Sequence, residues 1–208
     1  MSNTALKGTL FIVSAPSGTG KTSLVNALVR DTNHLKLSIS HTTRPPRDKE
    51  IDGYNYHFID TDKFKQMDMA GIFLESAEVF GNLYGTSQDS VKKMLDEGHD
   101  VVLEIDWQGA EQIKERFPDA ISIFILPPSI EALKQRLTSR GQDSDDVIAH
   151  RMDKAITELK HHHKADYLVV NDDFEEALKS LKAIVKADRM TCAKQKIING
   201  DLIQTLIS

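Results

Sequence analysis

An apolar run, Leu10-Phe11-Ile12-Val13, leads straight into Ala15-Pro16-Ser17-Gly18-Thr19-Gly20-Lys21-Thr22. A buried strand entering a Gly-rich turn that ends in Lys-Thr has the layout of a phosphate-binding loop. Gly18 and Gly20 reach backbone conformations closed to other residues, so successive N–H groups can point at one anion. Lys21 places a cation beside the β- and γ-phosphates of a nucleotide, and the Thr22 hydroxyl can ligate Mg²⁺. Behind the loop, Leu24, Val25, Leu28 and Val29 share one face of a helix expected over Ser23–Arg30. The loop thus meets a helix N-terminus, whose dipole also favours negative charge. Ala15 stands where such loops usually carry their first glycine, a tolerable change if φ there stays negative.

At 208 residues the chain can bury a well-formed core, as one domain or one domain with insertions. Its net charge of −5 argues against a general nucleic-acid or membrane-surface binder, which needs a net basic face. Basic clusters at a small-molecule anion site remain compatible with it. The lone Cys192 rules out an internal disulfide, fits a reducing compartment, and reads as a packing residue near the C-terminal helix. Met1–Lys7 lacks the apolar stretch of a signal peptide, and no segment approaches the roughly 18 apolar residues of a membrane span. A cytoplasmic protein is the expectation.

Buried parallel strands are expected at Leu10–Val13, Val101–Ile105, Ile121–Leu126 and Tyr167–Val170. Helical patterns follow or separate them at Ser23–Arg30, Ala110–Phe117, Ile130–Ser139, Asp146–His161 and Phe174–Met190. That alternation predicts an α/β fold with a parallel sheet covered by helices. Residues 38–98 break the rhythm with Gly- and Pro-punctuated alternation, which predicts a small, partly antiparallel insertion. Asp60 or Thr61 caps a helix within it. Residues 139–147 form a polar break suited to a mobile lid.

A second cluster narrows the chemistry. Ser40-His-Thr-Thr-Arg44-Pro-Pro-Arg47, followed by Asp52-Gly-Tyr-Asn-Tyr56-His-Phe58, sets two guanidiniums and two phenols near one turn. Arginine binds phosphate bidentately and tyrosine adds hydroxyl donors, so a second anion site, apart from Lys21, is expected. With T-T-R-x-P-R, the pattern Glu50, Gly53, Tyr56, Phe58, then F-L-E, G-N-x-Y-G-T and L-E-I-D-x-Q-G, the chain closely resembles the guanylate kinases from Gly8 to Arg189.

That resemblance implies transfer of a phosphoryl group from ATP, with Mg²⁺, to GMP or dGMP. It implies a P-loop NTPase-type core over 8–38, 99–133 and 154–208, a GMP-binding insertion over 39–98 and a helical lid over 134–153. Ser40, Arg44, Arg47 and Tyr56 match positions that hold the GMP phosphate, and Tyr84 another donor on that side. Glu75 and Thr86 match the guanine readers: a carboxylate accepts from N1 and N2 of guanine, and a hydroxyl donates to O6. Adenine reverses part of that pattern, and a site built this way rejects a mismatched analogue by roughly 10⁴–10⁵. Asp106 falls near GMP and Glu104 near the metal, through water. Two carboxylates two residues apart at a strand's C-terminal end point to one face, where ligands sit in open parallel sheets. Arg136, Arg140 and Arg151 match lid arginines that neutralise the phosphoryl in flight. Asn171-Asp172 falls near the adenine of ATP. Trp107 reads as packing. His161-His162-His163 reads as a solvated face, since consecutive helical residues fan out by about 100° and rarely ligate one ion.

Neither anion site comes with a nucleophile beside a base, so direct in-line transfer is expected, by positioning and charge neutralisation. Asp106-Trp-Gln-Gly109 also fits the D-x-x-G shape of a GTPase switch, but no N-K-x-D base reader follows. Another nucleoside monophosphate kinase would not need Glu75 and Thr86 beside the T-T-R-x-P-R turn. A non-catalytic phosphopeptide-binding relative would typically lack the intact Lys21-Thr22 loop. Homo-oligomer formation through apolar residues of Ile197–Ile207 is open.

Overall fold

The computed structural model describes residues 7–79, 81–138 and 145–208. In chain order the elements are β1 (Leu10–Ser14), α1 (Lys21–Asp31), β2 (Leu35–Leu37), β3 (His41–Thr42), β4 (His57–Phe58), α2 (Thr61–Met69), β5 (Phe73–Val79), β6 (Asn82–Ser87) and α3 (Gln88–Asp96). Then come β7 (Asp100–Glu104), α4 (Trp107–Arg116), β8 (Ile121–Leu126), α5 (Ile130–Thr138), α6 (Asp145–Leu159), a 3₁₀ turn (Lys160–Lys164), β9 (Tyr167–Val170), α7 (Phe174–Arg189), α8 (Cys192–Ile198) and α9 (Gly200–Ile207).

The core sheet runs β2-β7-β1-β8-β9, every pairing parallel. Period-two alternation on β1 builds a core on each face. Phe11 and Val13 pack with Leu24, Leu28, Leu178 and Leu181 of α1 and α7, while Leu10 and Ile12 pack with Val91 and Ile113 of α3 and α4. A strand buried on both sides must be largely apolar, and β1 is so from Leu10 to Val13, with the buried Ser14 at its end. The C-terminal ends of β1, β7 and β9 therefore deliver the phosphate loop, Glu104 and Asn171 to one edge, where ligands bind in such sheets.

β2 extends the expected four strands to five; Leu-Lys-Leu is too short to carry a pattern of its own. β9 is an edge strand rather than a buried one: Val169 is buried, but Leu168 and Val170 are 50% and 52% exposed. Cys192 likewise is exposed at the start of α8 instead of packed.

The insertion forms a second sheet, β4-β3-β6-β5, antiparallel at β3–β6 and β5–β6 and parallel at β3–β4. Phe64 of α2 stacks on Phe73 of β5 with ring centroids 4.6 Å apart, and Asp60 caps α2 by accepting from Lys63 N–H at 2.7 Å. Beyond the core, Leu133 and Leu137 of α5 pack on Ala155, Met152 and Leu159, which fixes α6 alongside α5. Ser139–Ser144, including the lid residue Arg140, lie outside the described residues.

Candidate active site

The phosphate loop is shaped as its glycines predict. Gly18 and Gly20 have φ of 89° and 87°, and Ala15 is not among the described residues with positive φ. Thr19 Oγ1 donates to Pro16 O at 2.9 Å, closing the turn internally. Lys21 begins α1 and donates from Nζ to Ile105 O at 2.9 Å, with Glu104 Oε1 at 3.8 Å. The Thr22 hydroxyl donates to the same Glu104 oxygen. Lys21, Thr22 and Glu104 thus converge, although 82 residues separate the last two.

Asn171 takes a place that its sequence position did not suggest. Its side chain is 5% exposed beneath the loop and donates from Nδ2 to Thr19 O at 2.6 Å. A Cβ added to Gly20 would stand 2.6 Å from that nitrogen, so Gly20 serves the close approach as well as the turn. The Asn171 backbone carbonyl accepts from Arg136 Nη2 at 2.9 Å. Asn171 therefore ties the loop to the helix carrying Arg136, and its amide is spent on the loop rather than turned to an adenine. Asp172 is exposed beside it.

A second group lies in the insertion. Glu75 is 3% exposed and accepts from Thr86 Oγ1 at 2.6 Å. Since Thr86 spends its one proton on Glu75, Ser40 is the donor in the 3.2 Å contact between their hydroxyls. Burial pushes the Glu75 carboxyl up to about 7, the Asp106 charge adds to the rise, and the bond from Thr86 opposes it. A guanine O6 would have to draw the Thr86 proton away from Glu75.

The third group is Arg44, Tyr56 and Tyr84. Arg44 donates from Nη2 to Glu50 Oε1 at 2.8 Å and lies over the Tyr56 ring, 5.5 Å from its centroid. Glu50 Oε2 also accepts the Arg47 N–H at 2.7 Å, so one carboxylate orders the whole turn. Burial pushes the Tyr56 phenol up to about 12, the Glu104 charge contributing, which keeps it a donor at neutral pH. Tyr84 is edge-on to Tyr56 at 5.9 Å. The Arg47 side chain is exposed.

Glu104 and Asp106 do not act as a pair on one strand face. The strand ends at Glu104, and Asp106 turns to cap α4, accepting from Gly109 N–H at 2.9 Å and from Gln108 Nε2 at 2.9 Å. Glu104 serves the phosphate loop, whereas the Asp106 charge is felt at Glu75. Arg151 of α6 reaches the loop, donating from Nη2 to Ser17 Oγ at 3.2 Å. Of the three histidines, His162 and His163 are exposed, but His161 is not simply solvated: it stacks on Trp107 with ring centroids 3.5 Å apart and contacts Glu111 at 3.2 Å. Among the described residues no group of three or more His, Cys, Asp or Glu side chains could hold a metal ion. None of their helices is long and apolar enough to cross a membrane.

Sequence reasoning overlooked Glu50 as an organiser, Gly109 as the space beside Glu75, and Gln112, whose amide brackets Ser76 by accepting its N–H at 3.2 Å and donating to its carbonyl at 2.9 Å. Both Glu50 and Gly109 stood in recognised motifs; the partners of Glu50, Arg44 and Arg47, are local, whereas Glu75, the partner of Gly109, comes from another part of the chain.

The profile of the guanylate kinase family matches residues 7–188. A guanylate kinase of Alkalilimnicola ehrlichii is 55% identical over 202 residues, covering 97% of this chain and 100% of that protein. One from Pseudomonas fluorescens is 55% identical over 200 residues, covering 96% and 97%. A crystal structure of guanylate kinase from Anaplasma phagocytophilum superposes with a TM-score of 0.77 at 32% identity, covering 90% of this chain and 89% of that one.

Proposed function

The chain belongs to the guanylate kinase family and is an ATP:GMP phosphotransferase of nucleotide metabolism; from there we propose which residues perform the transfer. ATP lies with its phosphates against the loop from Ala15 to Thr22, where the αL glycines turn backbone N–H groups inward and Lys21 neutralises the β- and γ-phosphates. GMP lies in the insertion over 39–98, its phosphate at Arg44, Arg47, Tyr56 and Tyr84 and its base at Glu75 and Thr86; Ser40, matched by sequence to the phosphate side, joins the base group instead because its hydroxyl lies 3.2 Å from that of Thr86. Asp106 stands between the base pocket and the core sheet.

The oxygen donors Thr22 Oγ1 and Glu104 suit a hard cation, so these two would hold Mg²⁺, Glu104 through water. When bound, the ion neutralises phosphate charge. A phosphate oxygen of GMP, already ionised, attacks the γ-phosphorus and the bond to the ADP oxygen breaks, so no strong general base is needed. Arg151, already at the loop, and Arg136, held on the carbonyl of Asn171, would move their charge onto the transferred group. Arg140 is assigned to the same task on sequence grounds alone.

The observation that carries the acceptor assignment is a buried carboxylate, Glu75, that accepts from the Thr86 hydroxyl at 2.6 Å. Such a group calls for N–H donors, which N1 and N2 of guanine provide. A coupled assay with MgATP and each monophosphate tests it. GMP and dGMP should be the acceptors used; turnover of AMP, UMP or dTMP at a comparable kcat/KM would overturn the assignment.

A further inference from the structure

One row of side chains on α4 runs along the outer edge of β5, the strand that carries Glu75. β5 ends the insertion sheet, with β6 on one flank and α4 along the other. Arg116 donates from Nη1 to Leu74 O at 2.6 Å. Gln112 accepts the Ser76 N–H at 3.2 Å and donates from Nε2 to Ser76 O at 2.9 Å. Gln108 reaches Glu78 O from Nε2 at 3.5 Å. The helix positions step by four and the strand positions by two, in opposite directions. Four helical residues rise about 6 Å and two strand residues about 6.6 Å, so the two rows stay nearly in register. A bare edge strand presents a line of unpaired N–H and C=O groups, and here helix side chains satisfy them in place of a neighbouring strand.

The row meets β5 where the base pocket is set. The Leu74 carbonyl belongs to the peptide before Glu75, and the Ser76 N–H to the peptide after it. With both planes held, the backbone is fixed on either side of the Glu75 Cα, and so is the direction in which the side chain leaves. That side chain turns towards α4 itself. Gly109, three residues before Gln112 on the same helix face, is where a Cβ would stand 2.6 Å from Glu75 Oε2. α4 is rooted in the core by the fully buried Ile113, which packs with Ile12 and Leu103. Thr86, by contrast, comes from the same sheet as Glu75, so its bond cannot place the carboxylate relative to the core.

We propose that Gln112 is a positioning residue for guanine recognition: by holding both backbone groups of Ser76, with Arg116 on Leu74, it sets the Glu75 carboxylate so that its two oxygens face N1 and N2 of the base. The inference rests on Glu75 reading guanine, as proposed above. Gln112 acts through the strand rather than on the substrate. Ser76 is half-buried, so water can replace the lost hydrogen bonds, and removing them costs placement more than folding. Placement matters most for the second contact. A carboxylate that tilts keeps one bond to N1–H and loses the one to the N2 amino group.

The test compares GMP with inosine monophosphate, whose base keeps N1–H and O6 but lacks the N2 amino group, in steady-state assays with MgATP. Q112M keeps the reach and bulk of the side chain without its hydrogen bonds. It should lower kcat/KM for GMP by roughly 10- to 100-fold, chiefly through KM, while KM for ATP stays within about twofold. The loss for inosine monophosphate should be smaller, narrowing the preference for GMP by about tenfold, the worth of one hydrogen bond to a charged group. Weakened folding alone would lower both acceptors equally, so an unchanged preference overturns the inference. In an E75Q background Q112M should cost less than about twofold more, since its effect passes through Glu75. Additive losses overturn the inference and leave the Glu75 reading intact; an E75Q variant with the parent's kcat/KM for GMP overturns both. R116M frees only the Leu74 carbonyl and should narrow the same preference. If Q112M does not fold, R116M decides by that criterion.

Discussion

Gly109, in the first turn of α4, leaves room for the carboxylate of Glu75: a Cβ there would stand 2.6 Å from Oε2 and 3.1 Å from Cδ. Gly109 also donates its N–H to Asp106 at 2.9 Å, so one residue both closes the helix cap and admits the acid of the base pocket. G109A should push Glu75 out of place. In a helix alanine is favoured over glycine by about 1 kcal/mol, so propensity alone would stabilise the variant. The expected result is a rise in KM for GMP of at least about tenfold, with Tm little changed. A variant binding GMP as tightly as the parent would show that Glu75 does not need this position.

The ionisation of Glu75 should appear in the pH dependence of acceptor binding. Its carboxyl stands at about 7, raised chiefly by burial, and only the carboxylate can accept from both guanine N–H groups. Affinity for GMP should therefore fall as pH drops through about 7, by up to tenfold per unit. Titration of the GMP phosphate adds its own slope; the difference between parent and E75Q isolates the Glu75 part.

The same shift makes a statement about stability. A carboxyl whose folded pKa lies above its unfolded value favours the fold below the unfolded pKa, and that advantage disappears as pH rises through about 7. Ligand-free E75Q, which is never charged, should exceed the parent in Tm above pH 7, and its margin should shrink towards pH 4.5. An equal margin at both ends would rule out burial of a charged Glu75 as the cause.

Asn171 gives a separate test of the loop. Removing its amide leaves the Thr19 carbonyl without a donor, at a cost of about 1–3 kcal/mol. N171D, an isostere that offers no proton when ionised, should be as damaging as N171A. Both should lower Tm by about 2–4 °C per kcal/mol and raise KM for ATP, whereas KM for GMP should hold. A rise confined to GMP would contradict the strut.

For Lys21 the expectation is nearly complete loss of turnover in K21A with the fold retained, read from far-UV circular dichroism. More than about a tenth of the parent's kcat would refute its role at the phosphates.

How far the primary structure carried the reading depends on how local each feature is. The phosphate loop, the β1 run and the cap at Asp60 are contiguous, and each owes its form to residues within a turn of one another. Glycine φ, side-chain period and a capping carboxylate act at that range, which is why these were legible. β9 was misjudged as buried because four apolar residues look alike in the centre of a sheet and at its edge. β2 went unseen for lack of length, and His161 was taken for solvated because nothing in three consecutive histidines announces a tryptophan 54 positions away.

Partnerships across the chain needed the assembled fold. Asn171 meets Thr19 over 152 residues, Thr22 meets Glu104 over 82, and Glu75 meets Gly109 only because α4 follows β7 into the crevice beside β5. Sequence told which side chains had the right chemistry: Lys21 for phosphate, Arg44 for a second anion, Glu75 for donors. Strand order and helix packing then chose what each one faces, because parallel β-strands bring together segments whose separation along the chain carries no periodic signal.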